Sequence, residues 1–343
     1  MILMQGRGVL VVNIILYLGI ILITGLLAGK LINKVKLPAV TGYLLVGLLL
    51  GPSVFNLITA ETVTALASIN SIALSIIAFS IGGALSLKEI KKCGKSVIVI
   101  TIAQVLGAYL LVTMTLHYLF GVELHTALIF GAISTATAPA ATVMVLREYK
   151  AKGPLTSNLL AVVALDDALC VIAFGITMAL AKILAGKVSG GVVAMIAAPL
   201  WELLGSILLG SVFAVLLLRL ASGFKEKPDK MVLALGMIFL QAGLAEFLNL
   251  SALLAGMTMG CVAVNLLPRQ SEKLFRLVST VDTPVYVLFF VLAGANLQLD
   301  LLTKVGLVGV AYIVSRIIGK VGGATFGAII SKAPAVVRKY LGL

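Results

Sequence analysis

Charge is scarce in this chain of 343 residues. Asp, Glu, Lys and Arg together make up 11% of it, whereas an ordinary soluble domain carries about a quarter. Hydrophobic residues make up 61%, and the mean hydropathy is +1.18. No folded surface of this composition would stay in water, and disorder and fibrous repeats are excluded as well. Cysteine is also rare: Cys93, Cys170 and Cys261 are scattered and odd in number, which gives neither a disulfide framework nor metal-ligand spacing. Cys170 and Cys261 fall in apolar runs and read as small packing residues. There are two histidines, His117 and His125, so a histidine-rich metal site is not expected. Both read as interfacial polar residues. No nucleotide-binding loop, catalytic triad or nucleophile constellation is present, which argues against an enzyme. No signal-peptide cleavage pattern is seen at the N-terminus.

What fills the chain instead is a series of continuous apolar runs about 20 residues long or longer. An outer-membrane barrel would alternate polar and apolar residues. In hydrocarbon only helices and closed barrels satisfy the backbone, so these runs are helices. We place eleven spans, at about 9–32, 37–56, 63–86, 96–119, 124–147, 155–181, 190–219, 231–248, 250–267, 279–297 and 302–331. The loops between them are too short for a soluble domain, so residues 1–343 read as a single transmembrane domain in a lipid bilayer.

The formal net charge of +13 raises nucleic acid as a partner, but its placement excludes this reading. Alternate gaps hold 20 basic residues, among them Lys30, Lys88, Arg147, Lys225, Arg276 and Arg338. The opposite set holds 4: Arg7, Lys182, Lys187 and Lys304. The positive-inside rule places the rich set in the cytoplasm, with the N-terminus outside and the C-terminus inside. An odd number of spans agrees with that.

The remaining two basic residues, Arg316 and Lys320, lie inside the eleventh span one helical turn apart. Asp166 and Asp167 lie inside the sixth, about 18 Å from its cytoplasmic start. All four charges fall near mid-membrane, where each costs several kcal/mol unless paired or hydrated. A buried ion pair that fixes helix packing explains one carboxylate and one cation. Adjacent residues on a helix point about 100° apart, so one cation cannot easily neutralise both aspartates. One carboxylate is then left for a proton or a metal cation.

The fifth span carries Ser134-Thr135-Ala136-Thr137-Ala138-Pro139-Ala140-Ala141-Thr142 at the same depth. Pro139 cannot donate to the carbonyl of Thr135 and clashes with it. Alone this reads as a proline kink with hydroxyls bonded back to the helix. Beside an intramembrane Asp-Asp pair it reads as an opened helix whose carbonyls and helix ends bind ions. Spans four to six, with a broken middle helix, would match an inverted unit beginning at span eleven, and inverted repeats mark secondary transporters.

On these residues the chain resembles the monovalent cation/proton antiporters, in the branch that includes the Kef-type and NapA-like proteins. The likeness is carried by LPAVTGYLLVGLLLGPSV at 37–54, TATAPAAT at 135–142 and GPLTSNLLAVVALDDALCVIAF at 153–174. TPVYVLFFVLAGANL at 283–297 and SRIIGKVGG at 315–323 extend it. The resemblance implies an all-α, inverted-repeat NhaA/NapA-like antiporter fold of about thirteen spans, with a dimerisation domain and a mobile core domain. It also implies that Asp167 binds Na⁺ or a proton, that Asp166 pairs with Lys320, and that Thr135 and Thr137 contact the ion. Arg316 is left with two roles, at the broken-helix ends or on a carboxylate. The third span lacks the acidic residue that relatives often carry near Ala84. Relatives continue past Leu343 into a second broken helix, so a C-terminally truncated chain with 11 of about 13 spans is expected.

The expectation is thus an inner-membrane, electrogenic Na⁺ (or Li⁺)/H⁺ antiporter of the alternating-access kind, working as a homodimer without a cofactor. The alternatives are K⁺/H⁺ exchange, a non-transporting membrane subunit or sensor, and an inactive truncated antiporter.

Overall fold

In the computed structural model, residues 13–88, 93–184 and 192–342 are described. Arg7, Lys91, Lys92 and Lys187, and the predicted span residues 9–12 and 190–191, lie outside them. Helices are the regular structure of the described residues: α1 (Ile14–Lys34), α2 (Ala39–Leu50), α3 (Ala60–Ala65), α4 (Ala67–Gly83), α5 (Lys95–Met114), α6 (Leu124–Thr135), α7 (Pro139–Glu148), α8 (Pro154–Leu184), α9 (Val192–Gly223), α10 (Lys227–Phe247), α11 (Ala252–Leu266), α12 (Pro268–Val278), α13 (Asp282–Ala295), α14 (Leu299–Ile330) and α15 (Ala335–Tyr340). Eight helical stretches are long and apolar enough to cross a membrane. Three shorter apolar helices, Ala39–Leu50, Ala67–Gly83 and Ala252–Leu266, stand where the sequence placed its second, third and ninth spans.

Chain contacts divide the described residues into two compact units. One takes the chain up to Ile77 together with Phe275–Lys304; the other takes Ala78–Leu274 and the chain from Val305 onward. In the first unit α2 packs on α13 and α1. Glycines let the backbones meet there: a Cβ on Gly42 would stand 2.6 Å from the Ala28 carbonyl oxygen. Without water as a competing solvent, such close backbone packing is a main source of helix association in a bilayer.

The second unit holds every intramembrane charge singled out in the sequence. α9 packs broadly on α11, while α5, α6 and α8 pack on one another. α5 meets α14 backbone to backbone. A Cβ on Gly319 would stand 2.6 Å from the Gly107 carbonyl oxygen, and one on Gly323 would stand 2.7 Å from the Gln104 Cα.

Two local features differ from the span reading. Residues 268–278, read as a cytoplasmic gap, form helix α12, with Ser271, Leu274 and Val278 buried along one side. The eleventh span is interrupted near its start, where Gly306 takes φ 53° and ψ −132° inside α14. That is a backbone region glycine enters without steric penalty.

Candidate ion-binding site

The site begins with a break in a helix. α6 ends at Thr135, and Ala136 (φ −58°, ψ 140°) and Ala138 (φ −81°, ψ 101°) are extended. α7 then starts with Pro139 in its first turn. The chemistry of proline explains both sides of the break. It has no N–H to give to the preceding turn, it forces the residue before it out of the α region, and its fixed φ suits a helix start. Ser134 and Thr135 hydroxyls donate back to the Gly131 and Ala132 carbonyls at 2.6 and 2.7 Å. They close off the last turn of α6.

The carbonyl end of α6 carries the negative end of the helix dipole, and the two cations of α14 meet it. Arg316 Nε donates to the Ser134 carbonyl at 3.1 Å, and its Nη2 donates to the Ala136 carbonyl at 2.6 Å. Lys320 Nζ donates to the same Ala136 carbonyl at 3.1 Å. Of the two roles left open for Arg316, the geometry shows the first: the guanidinium caps the broken-helix end.

Asp166 lies on α8 and is fully buried. Its Oδ2 is 3.3 Å from Lys320 Nζ. The Thr137 hydroxyl also donates to Oδ2, and Lys320 donates to the Thr137 oxygen. Lysine, threonine and aspartate thus form a closed triangle of hydrogen bonds. Gln104, from α5, completes the shell by donating Nε2 to Asp166 Oδ1 at 3.0 Å. A buried carboxylate with both oxygens paired is tolerable in a low-dielectric interior; an unpaired one is not.

Asp167 is different. It is half-buried, and its Oδ2 is shielded from solvent with no hydrogen-bond partner among the described residues. Two successive residues of one helix therefore present one satisfied and one unsatisfied carboxylate at the same depth. The difference follows from their separation of about 100° around the helix axis.

Of the residues singled out in the sequence, Asp166, Lys320, Thr137 and Arg316 come together around the break that Pro139 opens. Thr135 is near but fully buried, and its hydroxyl is turned to its own helix. Cys170, read as a packing residue, lies beside the Thr135 side chain. Gln104 was missed; its signal was a single amide at the middle of α5. The two histidines make local contacts away from the site. His117 Nδ1 is 2.8 Å from the Val122 carbonyl, and His125 is 3.3 Å from Glu123.

Comparison with known proteins places the chain in a family. The family model described as "Sodium/hydrogen exchanger, transmembrane" matches residues 18–342. The chain is 25% identical to the high-affinity Na⁺/H⁺ antiporter NhaS3 of Synechocystis sp., over 92% of this chain and 77% of that one. It is 24% identical to the ammonium/H⁺ antiporter subunit AmhT of Alkalihalophilus pseudofirmus, over 90% of this chain and 78% of that one. Among solved structures, the sodium proton antiporter MjNhaP1 of Methanocaldococcus jannaschii superposes with a TM-score of 0.75 at 21% identity. That match covers 96% of this chain and 81% of MjNhaP1.

Proposed function

This chain belongs to the sodium/hydrogen exchanger family, and from that premise we propose that it exchanges Na⁺ for H⁺ across a membrane, with Asp167 as the group that carries either ion. The observation that carries this reading is the contrast within the Asp-Asp pair. Asp166 is fully paired, whereas Asp167 keeps a shielded oxygen without a partner. A carboxylate in that position must take up a cation or a proton, because an isolated charge at mid-membrane costs several kcal/mol. Binding of one excludes the other, and this competition is the chemical basis of exchange.

The neighbouring groups supply the rest of the cycle. Thr137 and the backbone of the helix break offer oxygens beside the aspartates, where a dehydrated cation needs them. Lys320 neutralises Asp166 in the ion-free state, and entry of Na⁺ loosens that pair. If Lys320 then releases its proton, turnover moves net charge and responds to membrane voltage. Access alternates between the two sides, and the energy comes from the ion gradients without a cofactor. Residues 1–343 belong to one transport domain in the inner membrane, which works as a homodimer, with the N-terminus outside and the C-terminus in the cytoplasm.

A second reading concerns the ion. The similarity to an ammonium/H⁺ antiporter subunit favours a larger monovalent cation, K⁺ or NH₄⁺, with the same carboxylate chemistry. Proteoliposomes carrying an internal pH dye, challenged in turn with Na⁺, Li⁺, K⁺ and NH₄⁺, decide between the readings. Na⁺ and Li⁺ are expected to drive proton movement. Dye responses to K⁺ or NH₄⁺ alone would overturn the choice of ion, and no response to any of the four would overturn exchange itself.

A further inference from the structure

The exchange cycle uses the middle of α8 and leaves its first two turns unused. Two adjoining cavities, of about 300 and 340 Å³, lie against those turns and share Ala84, Ala151, Lys152, Thr156 and Leu160. Such volumes are at the small end of ligand pockets, which run from about 300 to 1,000 Å³. Ser157 adds a second hydroxyl to one cavity, and Arg147 and Lys150 add two further cations to the other. Among the described residues, no Asp or Glu lines either cavity. A concave wall with three cations, two hydroxyls and no carboxylate holds a positive potential.

Bonds from different elements fix the backbone of these walls. The chain after α4 is clamped by Asn265 of α11, which donates Nδ2 to the Leu85 carbonyl at 2.9 Å and accepts the Leu87 N–H on Oδ1 at 2.8 Å. Arg147, near the end of α7, donates Nη2 to the Ser80 carbonyl at 3.0 Å. The turn from α7 to α8 is closed by the Lys150 N–H on the Arg147 carbonyl at 3.1 Å and the Ala151 N–H on the Leu146 carbonyl at 2.9 Å. A site whose walls are already set loses less order when a ligand binds.

Donors spread over several walls suit a ligand whose oxygens point in several directions. A phosphate group has three or more such oxygens, where a carboxylate has two in one plane. The cavities also lie at the end of α8 that the charge pattern puts in the cytoplasm, where anionic headgroups face the protein. Val143, Leu146 and Leu160 give the larger cavity an apolar side, which suits a headgroup joined to acyl chains. We propose that the two cavities form one binding site for a phosphate group, from an anionic lipid headgroup or from free phosphate, held by Arg147, Lys150, Lys152, Thr156 and Ser157. The site is separate from the exchange cycle and does not depend on which ion Asp167 carries.

The test titrates the Tm of the purified full chain with dihexanoyl phosphatidic acid, with dihexanoyl phosphatidylcholine, and with inorganic phosphate against chloride at equal ionic strength, all as Tris salts. A ligand that binds the folded state raises Tm. Phosphatidic acid, inorganic phosphate or both are expected to raise it, and phosphatidylcholine and chloride to leave it unchanged. A response to phosphatidic acid alone identifies the lipid headgroup as the source, and a response to inorganic phosphate shows that the free anion suffices. Lys150 and Lys152 are exposed, and replacing both by Gln is expected to raise the half-maximal concentration about twentyfold, the loss of two cations beside an anionic group. Lys152→Gln alone, with a rise of about fivefold, replaces the double variant if that does not fold. Lys225→Gln with Lys227→Gln, also exposed but in another basic gap, is expected to titrate as wild type. No response to phosphatidic acid or inorganic phosphate, an equal response to phosphatidylcholine, an unshifted midpoint in the Lys150 and Lys152 variants, or an equal shift in the Lys225 and Lys227 variant would each overturn the site.

Discussion

Neutralising Lys320 should cost the protein more than neutralising Lys320 and Asp166 together. Lys320→Gln removes the ammonium 3.3 Å from Asp166 Oδ2 and leaves a fully buried carboxylate. Removing one partner of a buried pair costs about 3–5 kcal/mol. Here the bonds from Gln104 and Thr137 remain, and each hydrogen bond to a charged group contributes about 1.5–3 kcal/mol. The loss therefore falls at the low end, about 3 kcal/mol. Asp166→Asn leaves the lysine cation with the Ala136 carbonyl and the Thr137 hydroxyl, and a similar loss of about 3 kcal/mol is expected. The double variant, Asp166→Asn with Lys320→Gln, leaves no charge, and two amides can bond to the same backbone and hydroxyl partners. Its loss should be about 1–2 kcal/mol, close to that of an ordinary destabilising substitution. At about 2–4 °C per kcal/mol for a large domain, each single change lowers Tm by about 6–12 °C, and the double change by less than either. Thermal unfolding in detergent, followed by a thiol-independent probe such as light scattering or tryptophan emission, measures all four proteins. Additive losses would mean that the two residues do not interact and would refute the pairing.

Two further substitutions test the frame around the pair. Arg316→Leu strips the Ser134 carbonyl of its donor 3.1 Å away and leaves the Ala136 carbonyl to Lys320 alone; at about 1–3 kcal/mol for one unsatisfied buried group, it should destabilise more than Arg316→Lys, which keeps one point donor but loses the planar fork. Equal losses in the two variants, read as Tm, would show that the guanidinium geometry is irrelevant. Gly319→Val places a branched side chain where even a Cβ would meet the Gly107 carbonyl oxygen at 2.6 Å. It should separate α5 from α14 and lower both Tm and exchange, whereas the same change at Gly322, where a Cβ meets no atom within 4 Å, should be tolerated.

Much of this arrangement was legible in the sequence because a bilayer makes polarity conspicuous. Asp166, Asp167, Arg316 and Lys320 stand out against apolar runs, and their shared depth follows from counting residues along helices of fixed rise. The break at Pro139 was legible for the same reason: proline has a defined local effect that no packing partner can cancel. What stayed hidden depended on the direction in which a side chain points. The polar residues of α5, among them Thr101, Gln104, Tyr109 and Thr113, do not gather on one face, so no periodicity told which neighbour Gln104 meets. The choice of Arg316 between a carboxylate and a helix end was equally open, because both lie one side-chain length from mid-span. Helix α12 was a different kind of miss. Its charges suggested a loop, yet Ser271, Leu274 and Val278 already had the spacing of one helical face.

Asp167 is where the account is most exposed. Asp167→Asn removes the charge and its titration but keeps the shape, and a neutral amide costs less than a carboxylate at mid-membrane, so the protein should fold at least as well as wild type. The direct measurement is Na⁺-driven proton movement by Asp167→Asn in proteoliposomes, at several pH values, beside the wild-type protein. The predicted result is wild-type exchange whose apparent Na⁺ affinity weakens as pH falls, and no exchange by the variant despite normal folding. Normal Na⁺-driven proton movement by Asp167→Asn would contradict it, and the unpartnered carboxylate would not be the ion carrier.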